Sequence, residues 1–171
     1  MWRKWGKIAH PHMIPGGPSP LERLRRYLAL ILFLALLGTG SELLLVGHTE
    51  KGWQWVPVIL IPAAILLLAG LMATARGSIV RIWQALMLVF ILSGGLGLGL
   101  HWKGKIEFKQ ESDPSLRGMK LFWEALHSES PPPLAPGVMI QMGLLGLAYA
   151  YRHPAFAVLS KDLSEDKGDD E

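Results

Sequence analysis

Residues 23–47 read RLRRYLALILFLALLGTGSELLLVG, a basic cluster followed by an apolar block whose one charged residue is Glu42. A bilayer's hydrocarbon layer of ~30 Å needs about 20 helical residues at about 1.5 Å each. Tyr27–Gly47 meets that length. Backbone groups in lipid must hydrogen-bond within their own segment, so the block reads as a helix rather than an open strand. Its flank sets its direction. Lys and Arg collect on the cytoplasmic side of a span, and those next to the span weigh most. The arginines at 23, 25 and 26 therefore predict a cytoplasmic N-terminus.

Three further blocks continue the pattern: 56–74, 82–100 and 135–151, the last of them short. Half of the 171 residues are hydrophobic, and they fall in these blocks rather than in the scattered periodicity of a soluble core. The fold class expected is an all-α integral membrane protein with four transmembrane helices, up-down-up-down. An extracytoplasmic segment containing an amphipathic helix is expected between helices 3 and 4. The division that follows is a cytoplasmic basic N-terminal segment over 1–26, a membrane domain over 27–151 and a cytoplasmic acidic tail over 152–171, largely disordered. The spans are placed at about 27–47, 56–74, 82–100 and 135–151. The opening MWRKWGKIAHPHM is basic, but the apolar run behind it is too long for a signal peptide and lacks a small-x-small cleavage site, so the first helix is expected to stay.

With the N-terminus inside, Arg76, Arg81 and Arg152 fall on the same side as the opening cluster, and Lys51, Lys103, Lys105, Lys109, Arg117 and Lys120 fall outside. Both termini are then cytoplasmic, in a multi-pass protein of the cell (inner) membrane. Aromatic residues suit the two interfaces, with Trp53, Trp55 and Trp102 outside and Tyr27, Trp83 and Tyr151 inside. The outer segment 101–134 is too long for a mere connector. Its KIEFKQE alternates polar and apolar residues, as a short strand would. Asp113 followed by Pro114 then signals a helix start, with Leu116, Met119, Phe122, Trp123 and Leu126 at helical spacing along one face. Such a helix would lie on the outer leaflet or cap the bundle. SPPPLAP is a stiff return to the membrane.

The chain has no cysteine, which excludes disulfides, thiolate metal sites and thiol nucleophiles. No Ser-His-Asp arrangement, P-loop or base-stacking motif supports a hydrolase, nucleotide or nucleic-acid reading. Candidate chemistry is confined to a few residues. Glu42 within the first span and Gln141 within the fourth are the intramembrane polar pair, expected to fasten two helices by hydrogen bonding. His48, Glu50 and His101 share a membrane level; with Glu107 or Glu111 they form the alternative of a divalent-metal site, and the two histidines that of axial haem ligands. Neither cofactor is the leading expectation, because no known ligand spacing occurs and histidines at helix ends commonly satisfy terminal carbonyls. His10, His12 and His153 are read as ordinary interface residues. Gly95 and Gly99 in the third span, with Gly143 and Gly146 in the fourth, have the spacing of close helix packing.

The leading functional expectation is a non-enzymatic accessory or partner-binding subunit of a membrane complex. Its partners are the lipid bilayer and other membrane subunits or a second copy of itself. The competing class is a metal- or haem-binding redox protein with its site at the outer face. Ion or proton translocation through Glu42, lined by Thr39, Ser41, Ser93 and Gln141, ranks third.

Overall fold

The computed structural model describes residues 17–47, 52–74, 76–127 and 134–155. Every element among them is helical: α1 (Pro20–Leu45), α2 (Trp55–Ala73, entered by a 3-10 turn at Gly52–Gln54), α3 (Gly77–Ser112), α4 (Gly118–Leu126) and α5 (Leu134–Ala150). Trp2, Trp5, His10, His12, His48, Glu50, Lys51, most of the proline run and the acidic tail lie outside the described residues.

Three helices, those carrying 20–45, 52–73 and 77–112, are long and apolar enough to cross a membrane. Only 28%, 22% and 28% of their most apolar windows are buried within the chain. Leu34, Leu66, Leu88 and Leu92 are among the large apolar side chains left on the surface. A helix that is apolar all round needs apolar surroundings on every side. The protein is thus built for a membrane. α5 is apolar but shorter than the other three.

Neighbouring helices run antiparallel. On α3 and α5, Trp83 meets Gly146, Met87 and Ile91 approach Gly143, and Gly94 approaches Pro136, so the two helices pass in opposite directions. One end of the bundle, the arginine end, carries Arg25, Arg76, Arg81 and Arg152. The other, with Trp53, Trp55 and Trp102, is the tryptophan end. Leu32 and Leu36 of α1, Ala64 and Leu68 of α2, Val80 and Phe90 of α3, and Met139 and Met142 of α5 close the core.

The tightest seam joins α3 to α5. A Cβ on Gly143 would stand 2.7 Å from the Met87 carbonyl oxygen, and one on Gly94 2.6 Å from that of Pro136. A Cβ on Gly146 would run into the Met87 side chain and the Trp83 ring. Side chains are absent at these positions because the neighbouring helix takes their place. On α3 the contact is made by Gly94 and Gly97 rather than by Gly95 and Gly99. The latter pair is exposed, and a Cβ on either would meet nothing within 4 Å. The correction is one of helical phase: a step of one residue turns a position by about 100°.

Trp83 also departs from its expected interface position. It is fully buried, its indole N–H donates to the Gly146 carbonyl at 2.8 Å, and Tyr149 meets its ring edge-on at 6.0 Å. A buried indole needs an acceptor, and Gly146 leaves its carbonyl accessible.

α1 begins at Pro20, ahead of the expected Tyr27, because SPLE forms a capping box. The Ser19 hydroxyl accepts from the Glu22 N–H at 3.2 Å, and the Ser19 N–H donates to the Glu22 carboxylate at 2.8 Å.

The strand expected at KIEFKQE is replaced by the continuation of α3, which at 36 residues is ~54 Å long. A lone seven-residue alternation has no partner strand among the described residues, whereas a continued helix satisfies its own backbone. Lys103 and Glu107 form an i,i+4 pair at 3.6 Å on this extension. Asp113 then ends α3 instead of starting α4. Its carboxylate accepts from the Ser115 N–H at 2.9 Å and hydroxyl at 2.6 Å. Those bonds, the hydroxyl's first, hold the Asp113 carboxyl below the usual carboxylate range. Gly118, at φ 57°, takes the left-handed conformation that opens α4. α4 folds back along the α3 extension, with Trp102 and Phe122 rings 5.1 Å apart and Lys109 3.7 Å from Glu124. Leu116, Leu121 and Ala125 are buried by this return, while Met119, Phe122, Trp123 and Leu126 stay exposed.

Candidate functional site at the tryptophan end

α1 approaches this end with two different faces. Leu32, Leu36, Thr39 and Leu43 recur at helical spacing and are buried. Leu34, Gly38, Ser41, Glu42 and Leu45 lie on the surface. A Cβ on Gly38 would meet nothing within 4 Å. Ser41 borders a groove of about 220 Å³ between α1 and α2, together with Leu37, Gly40 and Pro62. The Glu42 carboxylate makes no hydrogen bond or ion pair with any described residue. It sits three residues, ~4.5 Å, short of the end of α1.

Gln141 of α5 is exposed as well, and no hydrogen bond joins it to Glu42 among the described residues. The expected fastening of these two helices to each other is therefore not made. Both side chains point away from the core, at positions whose helical phase differs from that of the buried Leu43 and Met142. A second span amide, Gln84, is half-buried on α3 near the arginine end, one turn after Arg81.

A cavity of about 590 Å³ opens between the end of α1, the start of α2, the upper part of α3 and the start of α5. Its apolar walls include Leu43, Val56, Pro57, Leu96, Pro136 and Met139. Gln54, His101, Lys103, Lys105 and Glu107 supply its polar rim. His101 is exposed, and Glu107 is engaged by Lys103. His48 and Glu50 lie outside the described residues, so of the expected group His48, Glu50, His101, Glu107 and Glu111, the structure places His101, Glu107 and Glu111, all on α3. Among the described residues no three His, Asp or Glu side chains come together to hold a metal ion.

The arginine end holds a latch that the sequence did not announce. The Arg25 guanidinium donates to the Tyr151 carbonyl at 3.0 Å and also to that of Arg152. It thereby caps the end of α5 with the opposite charge to the helix dipole. His153, just beyond α5, is buried beside Tyr149, and its Nδ1 accepts the Ala155 N–H at 3.3 Å. Burial, with Arg25 acting in the same direction, holds this imidazole below the usual histidine range. An acceptor Nδ1 is a neutral ring with its proton on Nε2. Arg25 was legible only as part of a charge cluster, because its partner carbonyls lie more than a hundred residues away.

No protein-family model, curated protein or solved structure matches the chain.

Proposed function

We propose that the protein is a non-enzymatic, four-span subunit of the cell membrane that binds another transmembrane helix along α1. In this reading α1, α2, the first two-thirds of α3 and α5 cross the bilayer up-down-up-down. The arginine end and both termini are cytoplasmic, because Lys and Arg close to the first span weigh most. The upper third of α3 and α4 then stand outside, with the exposed apolar residues of α4 available to the leaflet surface.

One observation carries the docking: Glu42 lies on the surface of a helix whose surroundings must be apolar. An ionisable residue in a span costs ~2.5–3.5 kcal/mol on insertion scales and normally faces protein or water. Gly38, one turn earlier on the same face, allows a close backbone approach, and Ser41 adds a second hydrogen-bonding group. A helix presenting a donor to Glu42, from another subunit or from a second copy, would satisfy the acid and cover the glycine. The test is native-gel migration of the protein extracted from its own membranes in mild detergent. Wild type and Glu42→Gln should run in an assembly larger than the single chain, and Glu42→Leu should shift a larger share of the protein to the smaller species. Equal migration of all three contradicts the reading.

A further inference from the structure

The cavity at the tryptophan end combines two chemistries that meet in one class of small molecule. Its floor is hydrocarbon, from Leu43 and Met139 in the core to Pro57 and Leu96 nearer the opening. Among the described residues its rim is basic: two lysines and one glutamate leave one net positive charge, with His101 beside them. Lys103 is occupied by Glu107 at 3.6 Å. Lys105 is half-buried and has no hydrogen bond or ion pair among the described residues. An ammonium at the rim of an apolar space, with no counter-charge among the described residues, attracts an anion.

The room comes from the sequence of α3. Gly104 lines the space, and a Cβ there would meet nothing within 4 Å. At about 590 Å³ the cavity falls within the ~300–1,000 Å³ of ordinary small-molecule sites. Trp53 stands at its mouth, 68% exposed, where an indole suits a boundary between hydrocarbon and water.

We infer that this cavity binds an anionic amphiphile, with its hydrocarbon chain against Leu43, Leu96 and Met139 and its phosphate or carboxylate head at Lys105. The site is separate from the Glu42 face and does not depend on a partner helix. A membrane phospholipid and a free fatty acid share this chemistry.

Native mass spectrometry of the full chain in detergent distinguishes them, using phosphatidylglycerol, oleate and, as a zwitterionic control, phosphatidylcholine of the same chains. One molecule of phosphatidylglycerol or of oleate should be retained at concentrations at least tenfold below those needed for phosphatidylcholine; which of the two is held identifies the source. Lys105→Ala should weaken retention about tenfold. Gly104→Phe should abolish it without lowering the melting temperature, because the added ring enters open space and the helix loses a glycine. Failure to retain either anion, equal retention of phosphatidylcholine, or undiminished binding in Gly104→Phe would overturn the inference.

Discussion

The α3–α5 seam and the exposed face of α1 are built from the same residue types and behave in opposite ways. At the seam, Gly94, Gly143 and Gly146 are places where a Cβ would collide with backbone or side chain, and the indole of Trp83 finds its acceptor at Gly146. On α1, Gly38 looks into open space and Glu42 has no partner among the described residues. A glycine in a membrane helix is thus a permission, and only its neighbour shows whether it has been used. The seam joins α3 to α5; the α1 face is the one proposed to receive a second helix.

Truncating Trp83 should produce the largest effect. Trp83→Ala removes a buried ring and leaves the Gly146 carbonyl without its donor, for an expected loss of ~3–5 kcal/mol. Thermal unfolding in detergent checks this, and a change below about 1 kcal/mol would mean the seam is far looser than it looks. Overpacking comes next. Gly143→Leu and Gly146→Leu should each cost at least ~1–3 kcal/mol, whereas Gly95→Leu and Gly99→Leu should leave the melting temperature nearly unchanged. Equal losses in both pairs would erase the distinction between a filled seam and a free face.

A smaller effect is expected at the arginine end. His153 is held neutral by burial and by Arg25, so its folded pKa lies below the unfolded value near 6.5. The stability it contributes is complete above that value and is lost as pH falls below it through the folded pKa. Melting temperature should therefore drop as the pH is lowered below about 6.5, and His153→Gln should flatten that part of the profile. A stability that rises on acidification would contradict the placement. Smallest of all, in the isolated chain, are the Glu42 variants. With no hydrogen bond or ion pair to a described residue to lose, Glu42→Gln and Glu42→Leu should both leave its melting temperature nearly unchanged. In the assembly the Leu variant alone should lose the interhelical hydrogen bond, on the order of 0.6 kcal/mol and up to ~1.7.

The apolar blocks were legible because hydrocarbon imposes length and composition directly on sequence. Which way each helix is turned was not. Gly95 and Gly99 have the same spacing as a packing pair, yet Gly94 and Gly97 make the contact, and only the facing positions of α5 fix that phase. The early start of α1 is written in SPLE, whose serine and glutamate stand at capping-box spacing, but the apolar run by itself places that start too late. KIEFKQE misleads because alternation over seven residues says nothing about whether a second strand exists to pair with. Glu42 is recognisable as an intramembrane acid from sequence. That it faces outward, rather than toward Gln141, depends on where Leu43 and Met142 enter the core. The cavity was invisible beforehand, since Leu43, Pro57, Lys105 and Met139 come from four helices.

Site-specific photocrosslinking in native membranes addresses the docking face most directly. A photoreactive side chain at Ser41 on α1 is compared with one at Leu92 on α3, which is exposed and lies among apolar residues. Ser41 should give a discrete protein adduct, weakened on introducing Glu42→Leu and kept with Glu42→Gln, while Leu92 gives lipid adducts. Lipid adducts alone from both positions would contradict a helix-binding face on α1.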